Sequence, residues 1–313
     1  MKWTEKNTNK LLELVDELGF AWLEISRIMK KTPDSVRMRY RKVKGETGAR
    51  EHIEVILPKV GMFDVETLPM ENYNWKMYGI DYVSPEQVIK ETCLLGWSGK
   101  FLNESKMYSD VLTPKEALKR NGRRVAKSCW KFIRMCDILV GHNLIKFDFR
   151  VVNTYFLKYE LPPLKPLLLD TLQIAKKNFR FESNKMEYIN QRLGLETKME
   201  HEGFRLWKKC AQGEKKALTT MRKYNEQDVV ALEDLYYKLR PYINKQKYNV
   251  ALYNTTNERV CPVCGSQNLK KEGWYNTPAG RWRTYRCIDC TGIFRGKENS
   301  LSKNKKKTML VPY

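Results

Sequence analysis

The stretch Met62-Phe63-Asp64-Val65-Glu66 decides how this chain is read. Apolar and acidic residues alternate, the period of a β-strand whose successive side chains point to opposite faces. Asp64 and Glu66 therefore share one face, and Phe63 and Val65 the other. Two carboxylates side by side at a partly buried strand end repel, and the arrangement is costly unless a cation joins them. Taken alone the run is weak, because acids beside apolar residues are common at strand edges. Pro69 follows and stops the sheet.

Two more acids fall in places of the same kind. Ile138-Leu139-Val140 reads as a short buried strand ended by Gly141, and His142-Asn143 leads into Lys146-Phe147-Asp148 at the start of a helix. Asp148 either complements the helix dipole or supplies a third carboxylate. Tyr224-Asn225-Glu226-Gln227-Asp228 sits inside a long amphipathic pattern from Leu218 to Leu239. Tyr224 and Asp228 are spaced i, i+4 and share a helix face. Read singly, this pair is equally a core tyrosine bonded to an acid. The remaining pattern alternates strand and helix. Glu91 to Trp97 is strand-like, Lys115 to Cys136 is helical and opened by Thr113-Pro114, Phe147 to Tyr159 is helical, and Leu167 to Asp170 is strand-like. Such alternation predicts an α/β domain.

The order Asp64-x-Glu66, Asp148, Tyr224-x3-Asp228 resembles the DEDDy exonucleases, a family with an RNase H-like fold. The similarity runs over roughly residues 58 to 242 and includes His142-Asn143-x3-Phe147-Asp148, Asp170-Thr171-Leu172, Ser183 to Met186 and Leu193-Gly194. It looks like the phage- and bacterium-encoded branch. The related DEDDh branch would place a histidine at position 223, which is Lys223 here, so Tyr224 takes that role. The resemblance implies a central mixed sheet flanked by helices and a two-metal-ion 3′→5′ exonuclease. Asp64, Glu66 and Asp228 would hold one Mg²⁺ or Mn²⁺. Asp64 would bridge to a second, held by Asp148 directly or through water, and Tyr224 would orient the attacking water. His142 and Asn143 either contact the terminal nucleotide or form a structural turn. Phe147 either stacks on a base or packs in the core, with the core favoured. His52 and His201 receive no role.

The N-terminal 1–44 stretch predicts three short helices. Leu11, Leu12, Leu14, Val15 and Leu18 give one apolar face, ended by Gly19. Trp22, Ile25, Ile28 and Met29 give a second. Thr32 caps a third, with Pro33 at its first position and Val36 and Tyr40 facing inward. Trp3, Trp22 and Tyr40 are the expected aromatic anchors. Trp22-x-x-Ile25 and Thr32-Pro33-Asp34-Ser35-Val36-Arg37-x-Arg39-Tyr40 resemble a Myb/SANT-like helix-turn-helix. That resemblance implies DNA contacts from Arg37, Arg39, Arg41 and Lys42 in a major groove. The bland alternative is a solvated helix or a protein-binding module.

Cys261-Pro262-Val263-Cys264 and Cys287-Ile288-Asp289-Cys290 are two C-x2-C knuckles, the spacing of a tetrahedral Cys₄ structural Zn²⁺ site. The segment resembles a zinc ribbon. Lys270, Lys271, Arg281, Arg283 and Arg286 are interleaved with Trp274, Tyr275, Trp282 and Tyr285, a mixture suited to single-stranded nucleic acid through phosphate contact and base stacking; the aromatics can equally form the ribbon's small core, and both readings can hold on alternate strand faces. Cys93, Cys129, Cys136 and Cys210 read as small core residues.

With 58 Lys and Arg against 36 Asp and Glu, the formal net charge is +22. A polyanion relieves that self-repulsion, and nucleic acid is the usual one. No long apolar run and no signal pattern occurs, so the expected location is the cytoplasm, the host's if the gene is phage-borne, with no membrane partner. The expected domains are 1–44, the helix-turn-helix after which Lys44 to Gly48 reads as a linker; 52–245, the nuclease; 259–296, the ribbon; and 297–313, a mobile basic tail. DNA is favoured over RNA because of the helix-turn-helix. The competing readings are an RNA-processing exonuclease, an endonuclease on branched DNA, and an inactive DNA-binding regulator.

Overall fold

A computed structural model describes residues 3–17, 22–44, 57–195, 202–243, 248–254 and 258–311. The expected helix end at Leu18 and Gly19, the linker beyond Lys44, His52, His201, the boundaries at 52 and 245 and the side chain of Arg41 lie outside the described residues. The chain divides into two units, Pro58–Tyr242 and a second made of Met1–Leu57 with Ile243–Tyr313.

In the second unit, three N-terminal helices form as the sequence predicts: α1 (Glu5–Leu12), α2 (Trp22–Met29) and α3 (Pro33–Val43). Thr32 caps α3 by accepting a hydrogen bond from the Ser35 amide, with Pro33 in the first turn. Leu11, Leu14, Ile25 and Val36 are buried together, with Trp3, Trp22 and Tyr40 packed around them.

The Pro58–Tyr242 unit opens with β1 (Val60–Leu68), followed by the short pair β2 (Glu71–Asn72) and β3 (Val88–Lys90), then β4 (Cys93–Phe101) and β5 (Met107–Val111). Next come α4 (Pro114–Lys119), α5 (Arg123–Arg134), β6 (Ile138–Gly141), α6 (Asp148–Lys158), β7 (Leu167–Asp170), α7 (Thr171–Asn178), α8 (Met186–Arg192), α9 (Phe204–Ala211) and α10 (Lys215–Leu239). The sheet order is β5-β4-β1-β6-β7. β1 lies antiparallel to β4 and parallel to β6, so the acid-bearing strand is central. This mixed sheet with flanking helices is an RNase H-like arrangement.

The single helix expected over Lys115 to Cys136 is two. Arg120 takes a left-handed conformation at φ 49° and ends α4, and Gly122 precedes α5. The Arg120 guanidinium stabilises the break by donating to the carbonyls of Pro69 and Glu91 and to Glu71.

Below the sheet, Phe132 of α5 meets Phe63, Trp97, Phe101 and Tyr108 at ring-centroid distances from 5.2 to 6.3 Å. Gly99 makes room for it: a Cβ there would lie 2.5 Å from Phe132 Cε1. This cluster occupies the face of β1 that carries Phe63 and Val65, which leaves Asp64 and Glu66 facing away from it. The scattered thiols Cys93, Cys129, Cys136 and Cys210 are buried, and burial pushes Cys136 and Cys210 up to about 12, as expected of inert core residues.

The remaining strands are β8 (Leu269–Thr277), β9 (Gly280–Cys287) and β10 (Ile293–Asn299), an antiparallel sheet in the order β10-β9-β8. The last strand runs past position 296, and Lys303–Thr308 forms a short helix, α11, capped by Ser302. Ser302 accepts from the Lys305 amide and starts the turn despite the lysines.

Truncating Phe132 to Ala removes the ring on which four other aromatic side chains converge. The expected loss is about 3–5 kcal/mol of stability, read as a fall in the urea midpoint without a change in slope.

Candidate active site

β1 carries Asp64 opposite Ser98 of β4, and cross-strand neighbours share a face. α10 contacts β1, β4 and β5, and its Asn225 amide donates to Asp64 Oδ2. The acids of β1 therefore point toward α10. Asp228, one helical turn beyond Tyr224, is buried. Carboxylate oxygens of Asp64, Glu66 and Asp228 all lie within 4.8 Å of one another. Three acids this close repel strongly when ionised, and a divalent cation is the group that turns their proximity into binding.

Asp148 is brought to the same strand through that strand's backbone. It is the first residue of α6, is 3% exposed, and its Oδ1 accepts from the Val65 amide at 3.2 Å. Val65 lies between Asp64 and Glu66, so the fourth acid is hydrogen-bonded to the backbone that carries the first two. Burial pushes the Asp148 carboxyl up to about 7, against the lowering effect of the Val65 hydrogen bond, and the Asp170 charge adds to the rise. Asp148 does not share the tight cluster of the other three acids.

Tyr224 is buried and packs edge-on against Trp207 of α9, with ring centroids 6.1 Å apart. Trp207 in turn donates from Nε1 to Glu66 Oε2 at 3.3 Å. Sequence reasoning missed Trp207 and the contact of Asn225 with Asp64. Asn225 lay in plain view beside Tyr224, but helix spacing gives no reason to aim its amide at a strand. Trp207 had only the local signal of an apolar helix with Leu206 and Cys210.

The turn after β6 is held from within. Asp170 accepts from the amides of Asn143, Ile145 and Leu172. Asn143 sits at φ 70°. His142 Nδ1 is 2.9 Å from Thr171 Oγ1, and Nε2 donates to the Asn184 carbonyl at 2.8 Å. Both His142 ring nitrogens are thus engaged by the protein. Phe147 is 44% exposed, so the core position expected for it is corrected: as the residue preceding α6 it lies at the helix mouth.

In the other unit the cysteines converge. Sγ atoms of Cys261 and Cys290 lie 3.6 Å apart, as do those of Cys264 and Cys287, and all four are within 4.8 Å. A tetrahedron of thiolates about 2.3 Å from zinc has edges of roughly 3.8 Å, whereas a disulfide would bring two sulfurs to about 2 Å. The donor set and spacing fit Zn²⁺. The basic residues expected to meet nucleic acid fare differently from one another. Arg37 of α3 pairs with Asp289 of the second knuckle at 2.7 Å. Arg39 donates to Thr8 Oγ1 and lies over the Trp3 ring. Lys42 is exposed. Arg286 pairs with Glu272 at 2.8 Å, whereas Arg281 and Arg283 lie over the Trp274 ring.

Residues 98–240 match a family model described as the RNase_H superfamily, and residues 3–47 match a Myb-like DNA-binding domain. The chain thus contains an RNase H-like superfamily domain and a Myb-like DNA-binding domain. The first match takes in Asp148, Tyr224 and Asp228 and begins after Asp64 and Glu66. Among solved structures the chain is similar to the family B DNA polymerase from the hyperthermophilic archaeon Pyrobaculum calidifontis, at 15% identity and a TM-score of 0.44, over 59% of this chain and 25% of that one. This chain therefore spans about a quarter of the polymerase's length. No curated protein matches it. No described helix is long and apolar enough to cross a membrane.

Asp148 gives a test of the site in the metal-free protein. Its folded pKa is raised above the ordinary carboxyl value of 3.8 to about 7, so the native state binds the proton more tightly than the unfolded chain. That preference adds stability below pH 4 and is lost as the pH rises toward 7. Asp148→Asn keeps an oxygen for the Val65 amide and removes the buried charge. It is expected to raise the melting temperature at pH 8 by a few degrees and to leave it nearly unchanged at pH 4.

Proposed function

We propose that this chain is a metal-dependent 3′→5′ exonuclease acting on DNA. The single observation that carries the reading is the convergence of Asp64, Glu66 and Asp228 on one face of the central strand, with Asp148 bonded to the amide between the first two. Asp64, Glu66 and Asp228 would hold one divalent ion, and Asp148, with Asp64, a second. All-oxygen donors favour Mg²⁺ or Mn²⁺ over softer metals. When bound, a pair of such ions supplies an activated water and relief of charge on the attacking and leaving oxygens.

The chain's own residues do the rest. Asn225 fixes the Asp64 carboxylate by its hydrogen bond, and Trp207 fixes Glu66. Tyr224, on the same helix face as Asp228, orients the attacking water at the terminal phosphate. DNA rather than RNA is supported by the Myb-like domain at residues 3–47. The Cys₄ cluster would hold one structural Zn²⁺ through Cys261, Cys264, Cys287 and Cys290, and a ribbon with so little core would draw much of its folding free energy from that ion.

The deciding assay is digestion of a 5′-labelled single strand with Mg²⁺, with Mn²⁺ and without added divalent ion. A ladder of progressively shortened products, dependent on the ion, is expected. Asp64→Ala and Asp228→Ala should each lower the rate by on the order of a thousandfold while keeping the native circular dichroism. Cutting of a circular single strand, faster attack on a matched RNA, or full activity of Asp64→Ala would each sink the reading as stated. Native mass spectrometry of the purified protein should show one zinc per chain, lost in Cys261→Ser.

A further inference from the structure

The hairpin of β8 and β9 extends beyond the zinc knuckles and carries arginines stacked on aromatic rings on both faces. Trp274 lies opposite Arg283 in the ladder, and Tyr275 opposite Trp282. Successive residues alternate sides, so Trp274, Arg281 and Arg283 share one face. Arg281 Cζ is 4.2 Å and Arg283 Cζ 3.7 Å from the Trp274 ring centroid. On the other face Arg295 of β10, opposite Thr284, has its Cζ 4.9 Å from the Trp282 centroid and 5.5 Å from that of Tyr275.

Two features separate this from an ordinary ribbon core. None of the three rings is buried: Trp274 is 38% and Tyr275 46% exposed, and Trp282 is half-buried, while the buried hydrophobic side chains of the ribbon, Val260, Cys261, Val263, Cys287 and Cys290, gather at the knuckles. The charges are also uncompensated. Arg286 has Glu272 and Arg37 has Asp289, but among the described residues no carboxylate pairs with Arg281, Arg283 or Arg295. Arg281 and Arg283 hold two like charges against one ring, within a Debye length of each other. A bound anion would remove that repulsion. A partly exposed ring with an unneutralised guanidinium beside it is the combination that takes a base and its phosphate.

We infer that the β8–β9 hairpin is a binding site for single-stranded polynucleotide, with bases stacking on Trp274 on one face and on Tyr275 and Trp282 on the other, and phosphates held by Arg281, Arg283 and Arg295. Stacking reads no base edge, so the site is indifferent to sequence. This deepens the nuclease reading, which supplies the identity of the strand. Arg295 enters the site, and Arg286, already paired with Glu272, leaves it.

The test is fluorescence anisotropy of labelled oligo-dT and oligo-U with the full chain, over a KCl series and without added magnesium, so that binding is read apart from cleavage. Zinc content reports that each variant keeps its ribbon. Trp274→Ala is expected to weaken binding on the order of tenfold for both oligomers, and Trp274→Phe to restore most of it. Arg281→Gln with Arg283→Gln should lower the slope of log affinity against log salt by about 1.4, or about 0.7 for each phosphate contact on a single strand. Arg286→Gln should change neither quantity. Wild-type affinity and salt slope in the zinc-loaded Trp274→Ala and double-arginine variants would overturn the inference. Intact binding here, together with no digestion of the 5′-labelled strand in Mg²⁺ or Mn²⁺, would instead count against the nuclease reading alone.

Discussion

The mutual repulsion of Asp64, Glu66 and Asp228 is the constraint on which the Pro58–Tyr242 unit is organised. Their oxygens lie within 4.8 Å of one another at a strand packed centrally in the sheet. No folding free energy comes from placing them there, so the surroundings must hold them. On the far face of β1, Phe63 and Val65 sit in an aromatic cluster around Phe132, which anchors the strand. On the near face α10 brings Asp228 and the Asn225 amide. Packing on one side fixes the register, and the register fixes which side chains face the acids.

Charge compensation shows the same logic in the other unit, with a different result. Arginines near the knuckles are neutralised inside the protein, Arg37 by Asp289 and Arg286 by Glu272. Arg281, Arg283 and Arg295 rest on rings, with no carboxylate paired to them among the described residues. A net charge of +22 is therefore not spread evenly in its consequences. Part of it stabilises the fold by pairing, and part is left to act on a polyanion.

Much of this was legible from residue order. Alternation around Asp64 gave a strand with both acids on one face, and i, i+4 spacing placed Tyr224 and Asp228 together on α10. Thr32-Pro33 marked the start of α3, and the two C-x2-C knuckles marked a cysteine cluster. These are short-range patterns, in which the period of the backbone dictates what is adjacent. What was not legible depends on distant partners. The break at Arg120 is stabilised by carbonyls of Pro69 and Glu91, and no local signal announces that. Trp207 reaches Glu66 across 141 positions of chain. Arg37 pairs with Asp289, 252 positions away, and no local signal announces that partner. Phe147, for which the sequence favours a core position over base stacking, instead precedes α6 and is exposed.

Anomalous diffraction from crystals grown with Mn²⁺ tests the central claim most directly, since it locates the ions rather than their effects. The account predicts one peak bounded by Asp64, Glu66 and Asp228 and a second touching Asp64 and Asp148, with zinc at the four cysteines as an internal reference. A zinc peak without manganese at the acids, at millimolar Mn²⁺ and neutral pH, would contradict it.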